Sequence, residues 1–65
     1  MLRIKLYEAR IEKNMSLREL AEKSGVSKSH INAIESGRKK PGIEVLYLLS
    51  KALDVSINDL IEIED

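Results

Sequence analysis

The stretch GVSKSHINAIESGRKKP, residues 25–41, gathers the polar side chains of this 65-residue chain that are best suited to recognition. Lys28, Ser29 and Asn32 can donate hydrogen bonds, and the serine and asparagine can also accept them. Arg38, Lys39 and Lys40 follow Gly37 as three adjacent cations. These types suit hydrogen bonding to an anion and neutralising its charge, with no bond made or broken. Covalent chemistry has little to work with: the chain holds no cysteine, one histidine and no glycine-rich phosphate loop. An enzyme is therefore not expected, and no cofactor is implied. One imidazole without a thiolate is too little for a zinc site, and no metal is expected.

Eleven acids balance eleven Lys and Arg over the whole chain. The balance is uneven along it. Residues 1–40 carry ten Lys and Arg against five acids, while residues 41–65 carry Lys51 alone against six. Such asymmetry points to a polyanion as partner of the first part. An acidic second half lying away from that partner would orient the molecule on approach.

Sixty-five residues make one small domain, read here as 1–65. Apolar residues form 43% of it, enough for a single core without staples. The lack of cysteine fits the cytosol. No apolar run approaches the ~18 residues that cross a bilayer, and Met1-Leu2-Arg3-Ile4-Lys5 mixes charge with apolar residues unlike a signal peptide. No membrane partner is expected.

Five helices must position these residues. Met15-Ser16…Leu20, Val26-Ser27…Ile31 and Val55-Ser56…Leu60 each set a capping serine inside an apolar pair five positions apart. Glu19 completes a capping box with Ser16, and Asp59 favours the positive end of the last helix. Asn14, Gly25 and Gly37 follow helical runs and tolerate the left-handed conformation of a helix end, as Asp54 does less comfortably. The reading gives helices near 3–13, 17–24, 28–36, 43–53 and 57–62, in an all-α compact bundle. Leu2, Ile4 and Leu6 alternate as in a strand, but no partner run stands out, so no strand is expected. Leu6, Ala9, Leu20, Ala21, Val26, Ile31, Ile34, Leu46, Leu49, Leu53, Val55 and Leu60 are the core candidates by spacing.

Only Gly25-Val26-Ser27 joins the second and third helices. Small Ala21 lies where two helices crossing at about 90–120° approach closely. Val26, Ile31 and Ile34 turn inward. Lys28, Ser29, Asn32 and Ala33 are left facing out, with His30 and Glu35 towards the flanks. With this spacing, LAEKSGVSKSHINAIESGRKKP together with LLSKALDVSINDL resembles the phage-repressor and Cro type helix-turn-helix family over about residues 6–60. The resemblance implies a five-helix, lambda-repressor-like domain that binds double-stranded DNA in a bacterial, archaeal or phage setting, usually as a dimer. Its third helix is then expected in the major groove, with its N-terminal residues on base edges.

Roles follow residue by residue. Lys28 can donate to guanine, Ser29 to a base or phosphate, Asn32 can bridge adenine, and Ala33 can offer a methyl to thymine. Arg38, Lys39 and Lys40 suit phosphates more than bases. Ser16 and Arg18 flank helix-start N–H groups that can hold a phosphate, and His30 faces the backbone side. The family often has a glutamine after the cap, where this chain has Leu17, which passes that contact to Arg18. The family also tends to an apolar residue where Ser24 stands. Arg10 and Glu35 occupy places the family often bridges, giving a partly buried ion pair that also aims Arg10 at the backbone. Helix 43–53 is apolar on more than one face, and a homodimer through Tyr47, Ile57 and Ile61 is expected, setting two recognition helices about 34 Å apart. Taken together these readings describe a sequence-specific transcriptional regulator, a repressor on a two-fold operator. The alternatives are an antitoxin that also holds a protein partner, whose identity the sequence does not give, and an interaction module that has lost DNA binding.

Overall fold

A computed structural model describes residues 1–64. The order is β1 (Leu2–Ile4), α1 (Leu6–Glu12), α2 (Leu17–Ser24), α3 (Lys28–Glu35), α4 (Ile43–Leu53), a single 3-10 turn over Ile57–Leu60, and β2 (Ile61–Ile63). The five-helix expectation is therefore corrected to four α-helices closed by a two-stranded sheet. The partner of Leu2 and Ile4 is the alternation Ile61-Glu62-Ile63. The strands run antiparallel with Leu2 opposite Ile63, Arg3 opposite Glu62 and Ile4 opposite Ile61. Arg3 Nη1 donates to Glu62 Oε1 at 3.1 Å, so the polar positions pair as the apolar ones do. Because residues 2–4 are spent on the sheet, α1 starts at Leu6 and not near residue 3. The last segment turns extended after Leu60, whose side chain is fully buried and anchors it.

The helix ends follow from hydrogen bonding. Ser16 Oγ accepts the Glu19 N–H at 3.0 Å while Glu19 Oε1 accepts the Ser16 N–H at 3.1 Å. A cap of this kind contributes about 1 kcal/mol. Three helices close with one device, a left-handed residue followed by a bond back to the last turn. Asn14 and Asp54 adopt φ 57° and 58°, and Gly37 adopts 82°. Behind them, the N–H groups of Met15, Val55 and Arg38 donate to the carbonyls of Arg10, Ser50 and Ala33 at 3.1, 3.0 and 2.9 Å.

Leu6, Leu20, Ile31, Leu49, Leu53 and Leu60 form the fully buried centre, with Val26, Ile34 and Leu46 around it. Ala9, Ala21 and Val55 pack against this cluster from partly buried positions. The core thus draws on every helix, and it fixes α3 against α2 on one side and against α1 on the other.

Candidate nucleic-acid interface

Two helices and a three-residue turn carry the candidate surface. α2 ends at Ser24, and Gly25 takes φ 79°, where its N–H still donates to the Ala21 carbonyl at 2.9 Å. The next N–H, of Val26, is accepted by Ser24 Oγ at 3.1 Å. Ser24 is itself buried, so its hydroxyl supplies the turn with an acceptor that an apolar side chain lacks. Val26 drops into the core, and Ser27 then caps α3 by accepting the His30 N–H at 3.2 Å. These three bonds tie the turn to the end of α2 and the start of α3.

On α3, Ile31 and Ile34 are buried, while Lys28, Ser29 and Asn32 are exposed. Residues 28, 29 and 32 share one side of the helix by their spacing. Ala33 and His30 sit half-buried at its margins. Ser16 and Arg18 stand exposed at the start of α2.

The basic loop is positioned by one backbone carbonyl. Ala33 O accepts from the Arg38 N–H at 2.9 Å, the Lys39 N–H at 3.2 Å and Ser36 Oγ at 3.2 Å. Ser36 Oγ in turn accepts from Arg38 Nε at 2.9 Å, so Arg38 folds back along the helix end, while Lys39 and Lys40 are exposed. Ser36 is a positioning residue that sequence reasoning missed. Its signal was a serine two residues ahead of an arginine across a glycine. Among the described residues, ion pairs join Arg3 to Glu8 and Glu62 and Arg10 to Glu35. Arg18, Lys28, Arg38, Lys39 and Lys40 take part in none of these.

Beneath the loop lies the Arg10–Glu35 pair. Arg10 Nε donates to Glu35 Oε2 at 2.7 Å and Nη2 to Glu35 Oε1 at 3.1 Å, a two-pronged contact. Nη1 donates to the Met15 carbonyl at 2.9 Å, a backbone partner no side-chain pattern announces. One guanidinium thereby joins α1, the loop entering α2 and the end of α3. The Tyr7 ring lies 5.4 Å from it. The hydrogen bond to Glu35 raises the Arg10 pKa above the ordinary guanidinium range against an opposing desolvation. Arg10 is only 8% exposed. With three of its five N–H groups turned to Glu35 and Met15, it acts as a tie between these elements.

The expected dimer residues separate. Tyr47 is 50% exposed, with Ile43 and Leu48 exposed near it on α4. Ile57 is half-buried, and Ile61 packs against the core as the strand partner of Ile4. Much of the Ile61 side chain is therefore spent within the chain.

The helix-turn-helix family model matches residues 6–60. Over 64 residues the chain is 47% identical to the HTH-type transcriptional regulator SinR of Bacillus licheniformis, covering 97% of this chain and 56% of that protein. The chain thus spans little more than half of that relative's length. Among solved structures, the N-terminal DNA binding domain of SinR from Bacillus subtilis superposes with a TM-score of 0.76 at 44% identity, covering 82% of this chain and 78% of that one. The restriction-modification controller protein C.AhdI from Aeromonas hydrophila gives a TM-score of 0.81 at 29% identity, covering 85% and 83%.

Proposed function

We propose, from the premise that this chain belongs to the helix-turn-helix family, that it reads double-stranded DNA in a sequence-specific way and regulates transcription as a repressor. The carrying observation is the short capped turn at residues 25–27, after which Lys28, Ser29 and Asn32 lie together at the exposed start of α3. In this reading α3 enters the major groove. Lys28 and Ser29 contact base edges or phosphate, Asn32 bridges an adenine, and Ala33 touches a thymine methyl. Ser16, Arg18, His30, Arg38, Lys39 and Lys40 line the backbone and set the register. The protein works in the cytoplasm, where its operator is.

Titration onto random duplex DNA at several salt concentrations tests the first half. Binding that weakens with salt is expected, and salt-independent or absent binding removes the DNA reading. Selection of sites from a random pool then gives the operator. Asn32→Ala should relax preference at one adenine position by about 1–3 kcal/mol while leaving the salt slope unchanged. A uniform loss across all sequences would make Asn32 a backbone contact instead.

The same reading makes the regulator a homodimer on a two-fold operator, joined through the exposed Ile43, Tyr47 and Leu48 of α4 and the open edges of Ile57 and Ile61. Sedimentation at high micromolar concentration should show a dimer, and Tyr47→Glu should shift it to monomer. A monomer at that concentration, with half-sites filled independently, would remove this interface.

A further inference from the structure

Beside the proposed DNA-reading surface lies a groove that the reading above uses only at Lys39 and Lys40. It has a volume of about 510 Å³ and runs between β1, α1 and the loop after α3. That size lies in the range of small-molecule sites. Ile34 and Ile4 are among its more buried lining residues, Leu2 and Tyr7 are half-exposed along it, and Lys39 and Lys40 also border it. The Tyr7 ring is steadied by the Arg10 guanidinium 5.4 Å away.

The charges of the groove are of two kinds. Glu35 is neutralised by Arg10, and Glu8 by Arg3. Lys39 and Lys40 take part in no ion pair among the described residues, the Met1 ammonium is turned to the Glu64 carbonyl oxygen, and the remaining lining carboxylate is Glu64. A groove lined on its apolar part by Leu2, Ile4, Tyr7 and Ile34 and bordered by the exposed ammonium groups of Lys39 and Lys40 is complementary to an acid with a hydrocarbon body. A neutral apolar molecule gains nothing from the ammonium groups, and a compact polar anion gains nothing from the apolar lining.

We infer that this groove binds an amphipathic carboxylate, its chain against Leu2, Ile4, Tyr7 and Ile34 and its carboxylate on Lys39 and Lys40. This part stands on the groove alone. A second part rests on the reading of Lys39 and Lys40 as phosphate contacts: an occupied groove withdraws both lysines from the DNA backbone, so the acid weakens DNA binding.

Decanoate is a suitable probe, with decanamide as its uncharged counterpart. In ¹⁵N–¹H spectra of the whole chain, decanoate should shift the amides of Leu2, Ile4, Tyr7, Ile34 and Gly37 saturably, with a dissociation constant of about 1 mM for so few heavy atoms. Decanamide should bind several-fold more weakly. The Lys39→Gln/Lys40→Gln variant should lose the same preference, since exposed ion pairs are individually weak. Tyr7→Ser, at a half-exposed site, should weaken both ligands alike. Equal affinity for acid and amide would overturn the carboxylate assignment. Shifts centred on Tyr47 and Ile43 of α4, or none by 10 mM (about ten times the expected constant), would overturn the groove itself. The DNA reading is separated by competition on duplex DNA. If decanoate fills the groove without lowering DNA affinity, the second part falls and the first stands. If DNA is not bound at all, the function proposed above fails while groove binding is still read from the spectra.

Discussion

Glu35→Gln is expected to lower the melting temperature by about 12–24 °C. The substitution keeps the shape of the side chain and removes its charge. It also sets an amide NH₂ against a guanidinium N–H, because both carboxylate oxygens now accept from Arg10, at 2.7 and 3.1 Å. What remains is a nearly buried arginine whose charge is uncompensated, held by one neutral amide oxygen and the Met15 carbonyl. Removing one partner of a buried pair costs about 3 kcal/mol or more. A chain of this size has only about 3–10 kcal/mol in total, and each kcal/mol moves its melting point by about 4–8 °C. Calorimetry of the variant checks the figure, and an unchanged melting temperature would show that the pair ties nothing. Replacing both partners, as Arg10→Met with Glu35→Leu, should restore most of the loss, since two apolar groups leave no orphan charge. The arginine end adds no pH dependence at working pH. Its pKa is raised in the folded state, so its contribution is complete below the unfolded value and is lost only as pH rises through the folded one, beyond any useful range.

The second large effect concerns affinity. Exchanging Arg38, Lys39 and Lys40 together for glutamine should flatten the salt dependence of DNA binding by about 1.8–2.7 units of slope, for two or three phosphate contacts. Near 0.1 M salt this corresponds to a loss of roughly 10²–10³-fold, uniform across sequences. Fluorescence anisotropy over a salt series reads both quantities. A changed sequence preference with an unchanged slope would move these residues from the backbone to the bases. Fold stability should hardly move, because the loop is placed by the Gly37 turn and the Ala33 carbonyl, whose bonds come from main chain and Ser36.

How far the sequence announced this molecule depended on the range of the interactions. α2 and α4 were placed to the residue, and α3 to within one, because serine caps at α2 and α3, Pro41-Gly42 before α4 and left-handed stops all act within a turn or two. The outward set Lys28, Ser29 and Asn32 was legible for the same reason, once Ile31 and Ile34 fixed the inward side. The sheet was not legible. Leu2 and Ile4 alternate over too few residues, and their partners lie at the far end of the chain, so neither half carries a signal alone. Backbone acceptors were also invisible. Nothing in residue types shows that Met15 and Ala33 lend their carbonyls to Arg10 and to the basic loop. Ser24 read as a departure from the family pattern, and its meaning emerges only where its hydroxyl meets the Val26 N–H.

The pairing of β1 with β2 also bears on the order of assembly. Helices that close on their own last turns form from neighbouring residues, on the microsecond scale. Joining Leu2 to Ile63 encloses almost the whole chain in one loop, whose closure entropy must be met before any strand bond forms. The core already brings Leu6 and Leu60 together, so the sheet extends a closure the core makes. If it forms after that closure, changes at this seam should act mainly on the unfolding rate, which stopped-flow unfolding of an Ile4→Ala variant would read.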